Sequence, residues 1–488
     1  MSSSLKVNSI LNIIKTCSSI VFPLITFPYV SRVLLPDNIG KVSFAQSYVS
    51  YFALIAALGL ATHAIRECAT VRNDKDELSN VASQLFSINL VTTVFSYVVL
   101  FVSLFLYKDL DNYVVLILIE SISIFATTVG ADWLNSAMED FKYITIRTIL
   151  FQLVSLILVF LFVRTQDDYY NYAIISVLSS AGANITNIWY RRKYCKIRFT
   201  FHINWKKNIP PVAFLFAMQL SITIFNNADV TMLGLMKGDY QVGLYSTAHK
   251  MNRIVSQVVQ SLSLVIIPRL TVYFNNNDFI NANKLLRKVL GFNLTLGLPC
   301  VVGVIMMANE IIFLIGGTEF MEAVPVIRVL ILSLMFSLVG GSFLGNAILI
   351  PMKKEKYYMI ICIITAVANV LLNILLIPKF AAVGASISTA FNGLLIMILL
   401  MFKVDKRIKI DKARSLFIYP ILGCVGIVAC CLLCRMISNL YIRTTISVGL
   451  SAVVYCIIQL LLGNDMVIEI INSISMKVFK KRIFKEKG

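Results

Sequence analysis

Long apolar segments alternate with short polar ones along almost the whole chain. Each apolar segment is close to the length of about 20 residues that an α-helix needs to cross a bilayer. We predict fourteen membrane-spanning helices, at residues 7–31, 40–62, 82–106, 113–134, 146–164, 171–190, 210–236, 243–267, 289–315, 325–350, 358–378, 382–402, 416–437 and 444–463. The pattern therefore predicts an all-α polytopic membrane protein.

The composition supports a membrane protein and excludes a large soluble domain. Of the 488 residues, 58% are hydrophobic and only 14% are charged, far from the balance of a soluble protein. The formal net charge of +19 would suit a nucleic-acid-binding protein, but the Lys and Arg residues lie in short segments between the apolar ones. Their placement indicates membrane topology, and we expect no nucleic-acid partner.

Basic residues concentrate in alternate loops, which predicts the orientation of the chain. Lys and Arg accumulate on the cytoplasmic side of membrane proteins. One face of the predicted bundle holds the basic segments 191–207, 353–356, 403–414 and 477–487, whereas the loops on the other face are short and poor in Lys and Arg. We expect an even number of spans, both termini in the cytoplasm and no extracellular catalytic domain.

A short motif occurs twice and indicates an internal repeat. The pattern G-x-x-S-x-A occupies residues 40–45, after the first span, and residues 243–248, after the seventh. Six spans separate the copies, so the halves are predicted to be parallel repeats about an axis along the membrane normal, with substrate between them. The alternative is a chance match, because small residues are common in membrane helices. The predicted divisions are an N-terminal lobe at 1–200, a C-terminal lobe at 201–405, and an extra helix pair with a basic tail at 406–488.

Ionisable side chains within the predicted spans are few, and each is a functional candidate because burying a charge in a bilayer is costly. The basic ones are Lys15, Arg32, Lys250, Arg253, Arg328 and Arg435. The acidic ones are Glu120, Asp132, Asp229 and Glu310.

Lys250 and Arg253 carry the strongest functional signal. They are three residues apart and share one helix face, which Gln257 and Gln260 extend. At about 1.5 Å per residue, Arg253 lies roughly 15 Å from the start of its span, near the bilayer centre. Lys supplies a point charge and Arg a planar fork to phosphate oxygens, so the pair predicts a cationic cavity for a phosphorylated anion. The alternative is a structural ion pair with Asp229 or Glu310 that ties helices together.

The other candidates have weaker signals. Arg32 and Arg328 lie near span ends, where Arg often extends to lipid head groups. Lys15 is deeper and fits either cavity lining or extension toward the cytoplasm. Asp229 and Glu310 are candidates for ion coupling or for balancing the basic residues.

Motifs of nucleotide or metal chemistry are absent from the sequence. There is no G-x-x-x-x-G-K-[ST] loop and no dinucleotide fingerprint. The three His residues are scattered, and the single C-x-x-C has no second pair. We therefore expect no cofactor, no bound metal and no enzymatic activity, with energy supplied by an ion gradient or the substrate gradient.

Several segments together resemble a known family. Residues 27–36, FPYVSRVLLP, followed by Gly40, resemble the P-Y-x-x-R-x-L-x-P-x-x-x-G signature of bacterial polysaccharide export flippases. One departure is Leu35, where the family often has Gly. Further matching segments are Asp132-Trp133-Leu134 with Glu139, residues 229–234, and residues 242–250.

The resemblance is to the O-antigen and polysaccharide flippase (Wzx) group of the multidrug/oligosaccharidyl-lipid/polysaccharide (MOP) exporter superfamily. It implies a fold like that of the MATE transporters, in a bacterial cytoplasmic (inner) membrane. It implies transfer of an undecaprenyl-diphosphate-linked oligosaccharide to the periplasmic leaflet by alternating access, for O-antigen, capsule or exopolysaccharide synthesis. The residues expected to hold the diphosphate are Lys250, Arg253, Arg32, Lys15 and Arg328. The expected partners are this lipid-linked oligosaccharide, membrane lipids, a glycan polymerase, a chain-length regulator, and H⁺ or Na⁺ as coupling ion.

Two alternative functions remain open from the sequence. A cation or drug antiporter of the same superfamily would need carboxylates to dominate its cavity. The charged residues within the predicted spans are instead more often basic than acidic. A membrane-embedded glycan polymerase or ligase would need a substantial periplasmic loop for its acceptor, and the predicted outer loops are short.

Overall fold

The computed structural model describes residues 5–410, 413–469 and 472, and no β-strand occurs among them. The α-helices are α1 Leu5–Ala57, α2 Leu60–Thr70, α3 Lys75–Leu106, α4 Val114–Gly130, α5 Trp133–Ala137, α6 Phe141–Phe162, α7 Tyr169–Val177, α8 Ala183–Tyr190, α9 Trp205–Lys237, α10 Asp239–Asn275, α11 Phe279–Met306, α12 Ala308–Gly316, α13 Ala323–Ser337, α14 Glu355–Met401, α15 Ala413–Cys434 and α16 Leu440–Leu461. Leu178–Gly182 and Leu338–Leu349 are π-helical. Short 3₁₀ turns occur at Lys108–Tyr113, Gln166–Asp168, Arg191–Lys193 and Thr318–Phe320.

Each of the fourteen predicted spans coincides with a helical stretch, so the predicted all-α membrane fold is confirmed. Within the described ranges, ten helices are long and apolar enough to cross a membrane. Two of these, α1 and α14, each contain two predicted spans joined at a single non-helical residue. The sixth predicted span is split into α7 and α8 by a π-turn, and the eighth, α10, is not among the ten.

The break inside α1 falls at Leu35, one residue before Pro36. Leu35 has φ 62° and ψ 171°, a backbone region that is nearly restricted to Gly. A Cβ at this position is strained, by about 1–3 kcal/mol for such conformations. The structure therefore gives a physical reason for the Gly that the flippase signature often has here.

This strain predicts that Gly is more stable than Ala at position 35, which is the reverse of the order expected inside a helix. The Leu35→Gly variant should unfold at a higher temperature than Leu35→Ala, because both lose the leucine contacts but only Gly relieves the strain, by about 1 kcal/mol or more. At the neighbouring helical residue Leu34, the Ala variant should be the more stable, by about 1 kcal/mol. Thermal unfolding of the four purified variants in detergent measures this. The same order at both positions would show that Leu35 is not strained.

The described chain divides into two compact units, residues 1–246 and 247–488. In the first unit, α1 packs against α3, α4, α6 and α9. Ser47 Oγ donates to the carbonyl oxygen of Asn227 at 2.9 Å, and the ring of Phe44 lies directly against Gly234. These contacts join α9 to α1, so this division falls later than the predicted lobe boundary at residue 200.

The two glycines of the sequence repeat make reciprocal contacts within the first unit. A Cβ on Gly40 would lie 1.9 Å from the carbonyl oxygen of Asp239, and a Cβ on Gly243 would lie 2.0 Å from that of Pro36. The same interval that takes Gly40 to Gly243 takes Pro36 to Asp239. Gly40 is thus equivalent to Gly243, and Pro36 is equivalent to Asp239. Exchanging the two copies turns one contact into the other, as a local two-fold arrangement requires.

The basic segment after α8 is fixed to the end of α3 by a row of serines. The backbone N–H groups of Lys196, Arg198 and Thr200 donate to the hydroxyls of Ser79, Ser83 and Ser87 at 3.3, 3.0 and 2.8 Å. Serines four residues apart lie on one helix face, and alternate N–H groups of an extended segment point to one side. The two periodicities match, which holds the segment along α3.

The second unit contains the predicted extra helix pair. Helices α15 and α16 pack against each other, and α15 packs on α11. The Tyr455 hydroxyl donates to the carbonyl oxygen of Thr295 at 2.7 Å, and the Gln459 amide donates to that of Tyr419 at 2.7 Å. Buried hydrogen bonds of this kind tie the pair to the rest of the unit.

Candidate functional site

Helix α10 carries a continuous polar face. At about 100° per residue, seven polar side chains between residues 246 and 260 fall within an arc of roughly 120° that no apolar residue interrupts. The residues of this polar face are Ser246, His249, Lys250, Arg253, Ser256, Gln257 and Gln260. The face is about 21 Å long, most of the thickness of a hydrocarbon core of about 30 Å. Its polarity explains why α10 is not among the ten strongly apolar helices.

The opposite flank of α10 packs on α13 within the second unit. Val259 is fully buried in a cluster with Ile331 and Leu334. The Asn252 amide donates to Ser333 Oγ at 3.3 Å. This packing fixes the rotation of α10 and leaves Arg253 exposed. At the depth predicted for Arg253, an exposed Arg side chain is too costly against lipid, so we expect the polar face to contact water or a polar ligand.

Lys250 and Arg253 lie close enough for their positive charges to interact. Arg253 makes no ion pair with any carboxylate among the described residues. Two adjacent cations raise the local positive potential and favour a ligand with more than one negative charge. The geometry suits a diphosphate, because Arg can bond two phosphate oxygens at once and Lys can add a third contact.

The acidic candidates have other partners in the structure. Glu310 Oε1 forms an ion pair with Arg443 Nη2 at 3.1 Å, which ties α12 to α16. Asp229 is buried in α9, and its Oδ2 accepts a hydrogen bond from the Tyr245 hydroxyl at 2.5 Å. Of the structural pairs predicted as the alternative for Lys250 and Arg253, the described residues show none between Arg253 and Glu310, because Glu310 pairs with Arg443.

The remaining basic candidates are dispersed. Lys15 and Arg32 both lie on α1, but seventeen residues separate them, which is about 25 Å along a helix. They therefore cannot bind the same phosphate. Arg328 on α13 donates to Asn309 Oδ1 at 3.3 Å. Of the five predicted cations, the structure groups Lys250 with Arg253 on one face.

Two acidic residues near the predicted cytoplasmic end of the first unit have structural roles. Asp132 Oδ1 pairs with the buried Arg147 at 2.7 Å. Asp140 accepts hydrogen bonds from the Tyr190 and Tyr194 hydroxyls at 2.6 and 2.5 Å. Burial alone would raise the pKa of Asp140, but these bonds outweigh it and hold that pKa below its ordinary value. Both acids fasten helices together.

Three members of the polar face, Ser246, His249 and Ser256, were not predicted as site residues. A projection at 100° per residue from Arg253 would have found them, because they share its face. His249 was considered only as a metal ligand. Among the described residues, no group of three His, Cys, Asp or Glu side chains could hold a metal ion.

Comparison with known families identifies the chain. The model of the family described as "Polysaccharide biosynthesis protein" matches residues 5–274, more than half of the sequence. The chain belongs to this polysaccharide biosynthesis protein family. A second model, described as "Lipid II flippase MurJ", matches residues 254–456. The two matches overlap at residues 254–274, within α10.

Relatives of similar length agree with the family assignment, and solved structures of similar length show the fold. A relative described as "Putative O-antigen transporter", from Escherichia coli, is 23% identical over 415 residues, which cover 82% of this chain and 96% of the relative. A solved structure of the lipid II flippase MurJ in an inward closed conformation has a TM-score of 0.72 at 15% identity and covers 94% of this chain and 99% of that chain. An inward-facing MATE transporter of the MOP superfamily has a TM-score of 0.55 at 12% identity, covering 84% and 95%. The family member described here therefore has the predicted MOP-type fold.

Proposed function

We propose that this protein is a flippase that moves an undecaprenyl-diphosphate-linked oligosaccharide from the cytoplasmic to the periplasmic leaflet by alternating access. The observation that carries the proposal is the polar face of α10, with Lys250 and Arg253 at its centre. The E. coli relative is described as an O-antigen transporter and the most similar fold discussed above is that of a lipid II flippase, which supports the same class of substrate.

The physical obstacle in this reaction is the head group. A diphosphate with sugars cannot enter hydrocarbon without losing its hydration, whereas the polyprenyl chain is stable there. A polar helix face that extends over about 21 Å can replace water around the head group during the passage. Arg253 and Lys250 bind the diphosphate, and Gln257 offers a donor and an acceptor to sugar hydroxyls. The Gln260 amide donates to Ser337 Oγ at 3.3 Å and Ser256 Oγ donates to the Asn252 carbonyl oxygen at 2.7 Å, so these two residues offer their remaining sites.

Further residues have proposed supporting roles. Arg32, Lys15 and Arg328 contact the head group at other stages of the passage, since their separation along the helices excludes a single site with Arg253 for all of them. Asp229, held by Tyr245, is a candidate for ion coupling with H⁺ or Na⁺. Glu310 balances the charge of Arg443. We place the protein in the bacterial inner membrane with both termini in the cytoplasm, working with a glycan polymerase and a chain-length regulator.

A drug or cation antiporter is the other function that this fold supports, given its similarity to a MATE transporter. The polar face of α10 argues against it, because its charged residues are basic and would repel a cationic drug.

Deletion of the gene in its host tests the proposed function. We expect loss of the surface glycan and accumulation of the lipid-linked repeat unit inside the cell, both restored by the plasmid-borne gene. Sensitivity to cationic drugs should not change, because the substrate is an anion. Normal glycan display together with increased drug sensitivity would contradict the proposal and support the antiporter.

A further inference from the structure

A buried carboxylate in the first unit has no part in head-group binding. Glu120, on α4, is 6% exposed. Its Oε1 accepts a hydrogen bond from the Gln46 amide of α1 at 3.1 Å, and the same amide nitrogen donates to Ser176 Oγ of α7 at 3.1 Å. The two hydrogens of this amide are thus both engaged, and Glu120 is held at the meeting point of three helices.

The groups around Glu120 are polar but not cationic. Tyr172 on α7 is the titratable neighbour whose charge would interact with it. On α3, the nearby Tyr97 hydroxyl donates to the carbonyl oxygen of Ser121. Among the described residues of α1, α3, α7 and α8, no Lys or Arg forms an ion pair with Glu120. An ionised carboxylate without a cation is very costly inside a membrane, so this packing favours the neutral acid form of Glu120.

Glu120 is connected mechanically to α9 through adjacent residues of α1. Gln46 faces Glu120, and the next residue, Ser47, donates to the carbonyl oxygen of Asn227 at 2.9 Å and bonds Thr231 Oγ1 at 2.8 Å. A change in the charge of Glu120 must alter its bond to Gln46, because a carboxylate attracts the amide more strongly than a carboxylic acid does. A rearrangement there therefore shifts the segment of α1 that holds α9.

We propose that Glu120 is a proton-binding site that couples flipping to the proton gradient. The carboxylic acid keeps its proton while the first unit is packed as described, and releases it to water when a rearrangement of α1 hydrates the site. One proton binds to a carboxylate oxygen from the outer water and leaves to the inner water in each cycle, while one substrate moves outward. This inference rests on the proposed flippase function. It assigns proton coupling to Glu120, which is separate from Asp229 and from the polar face of α10.

The test uses the full-length protein in liposomes with a fluorescent undecaprenyl-diphosphate oligosaccharide and a pH-sensitive dye in the lumen. Flipping is measured with and without a pH gradient. With wild-type protein, exchange of one proton per substrate shifts the final distribution of substrate roughly tenfold per pH unit. The variant Glu120→Gln, which imitates the protonated acid, should lose both the gradient dependence and the substrate-induced pH change.

Glu322→Gln is the matched control, because Glu322 is exposed and outside the network. It should keep the full gradient response. Glu120→Asp keeps the acid with a shorter side chain, and a restored gradient response in it excludes a folding defect as the cause of the Gln phenotype. A gradient response that persists in Glu120→Gln overturns the inference, as does wild-type flipping that is indifferent to the gradient. Failure of the wild type to flip the lipid under any condition overturns the proposed function instead.

Discussion

Replacing Arg253 with Ala should abolish surface display of the glycan while the protein level in the membrane stays normal. Arg253 is exposed on the polar face of α10, so its removal leaves no cavity in the core. Loss of one partner of a desolvated charge pair costs about 2–5 kcal/mol of binding, which is enough to make head-group capture ineffective. Flow cytometry with a glycan-specific antibody and quantitative immunoblotting of membranes measure the two quantities.

Arg269→Ala provides the matched control, since Arg269 is an exposed residue of the same helix beyond the polar face. It should leave display unchanged. Arg253→Lys should restore part of the activity, because it keeps the charge but loses the planar fork. Normal display by Arg253→Ala at a normal protein level would remove Arg253 from the site.

Replacing Gly243 with Ala should destabilise the protein strongly. The added Cβ would lie 2.0 Å from the Pro36 carbonyl oxygen and 2.6 Å from its carbon, and these are backbone atoms that cannot rotate away. Overpacking in a well-packed core costs typically 1–3 kcal/mol and more where the backbone must move, so we expect about 3 kcal/mol. Because the contact is reciprocal, Gly40→Ala should have a similar effect. Thermal unfolding in detergent measures both.

Gly449→Ala tests whether the effect is specific to this contact. Gly449 is also helical, but a Cβ there meets no atom within 4 Å. Its replacement should be neutral or stabilising by up to about 1 kcal/mol, through the higher helix propensity of Ala. Equal unfolding temperatures for Gly243→Ala and Gly449→Ala would mean that the reciprocal contact is not tight.

Helices were well predicted from the sequence because hydropathy over about 20 residues is a local signal. The positions at which helices break were not predicted. Residues 32–39 were predicted as a loop between two spans, whereas α1 continues through them with a single non-helical residue, Leu35. A Leu with positive φ is rare, and its neighbours Pro36 and Gly40 only indicated that some interruption was near.

The part of the candidate site that lies on a single helix was predicted from the sequence. Lys250 and Arg253 were found because residues three apart share a face, which is a property of the local sequence. The pairing of Glu310 with Arg443 was not found, because it depends on tertiary packing between helices far apart in the chain. The same reason applies to Asp132 with Arg147, and to the docking of α9 on α1 that moves the unit boundary.

Reconstitution of the purified protein tests the central claim most directly. Liposomes would carry a fluorescent undecaprenyl-diphosphate oligosaccharide, and a membrane-impermeant quencher would report the fraction in the outer leaflet over time. We predict rapid, complete quenching with wild-type protein and only partial quenching, limited to the outer leaflet, with Arg253→Ala. Partial quenching with wild-type protein, together with proton-coupled transport of a cationic dye by the same liposomes, would contradict the flippase assignment.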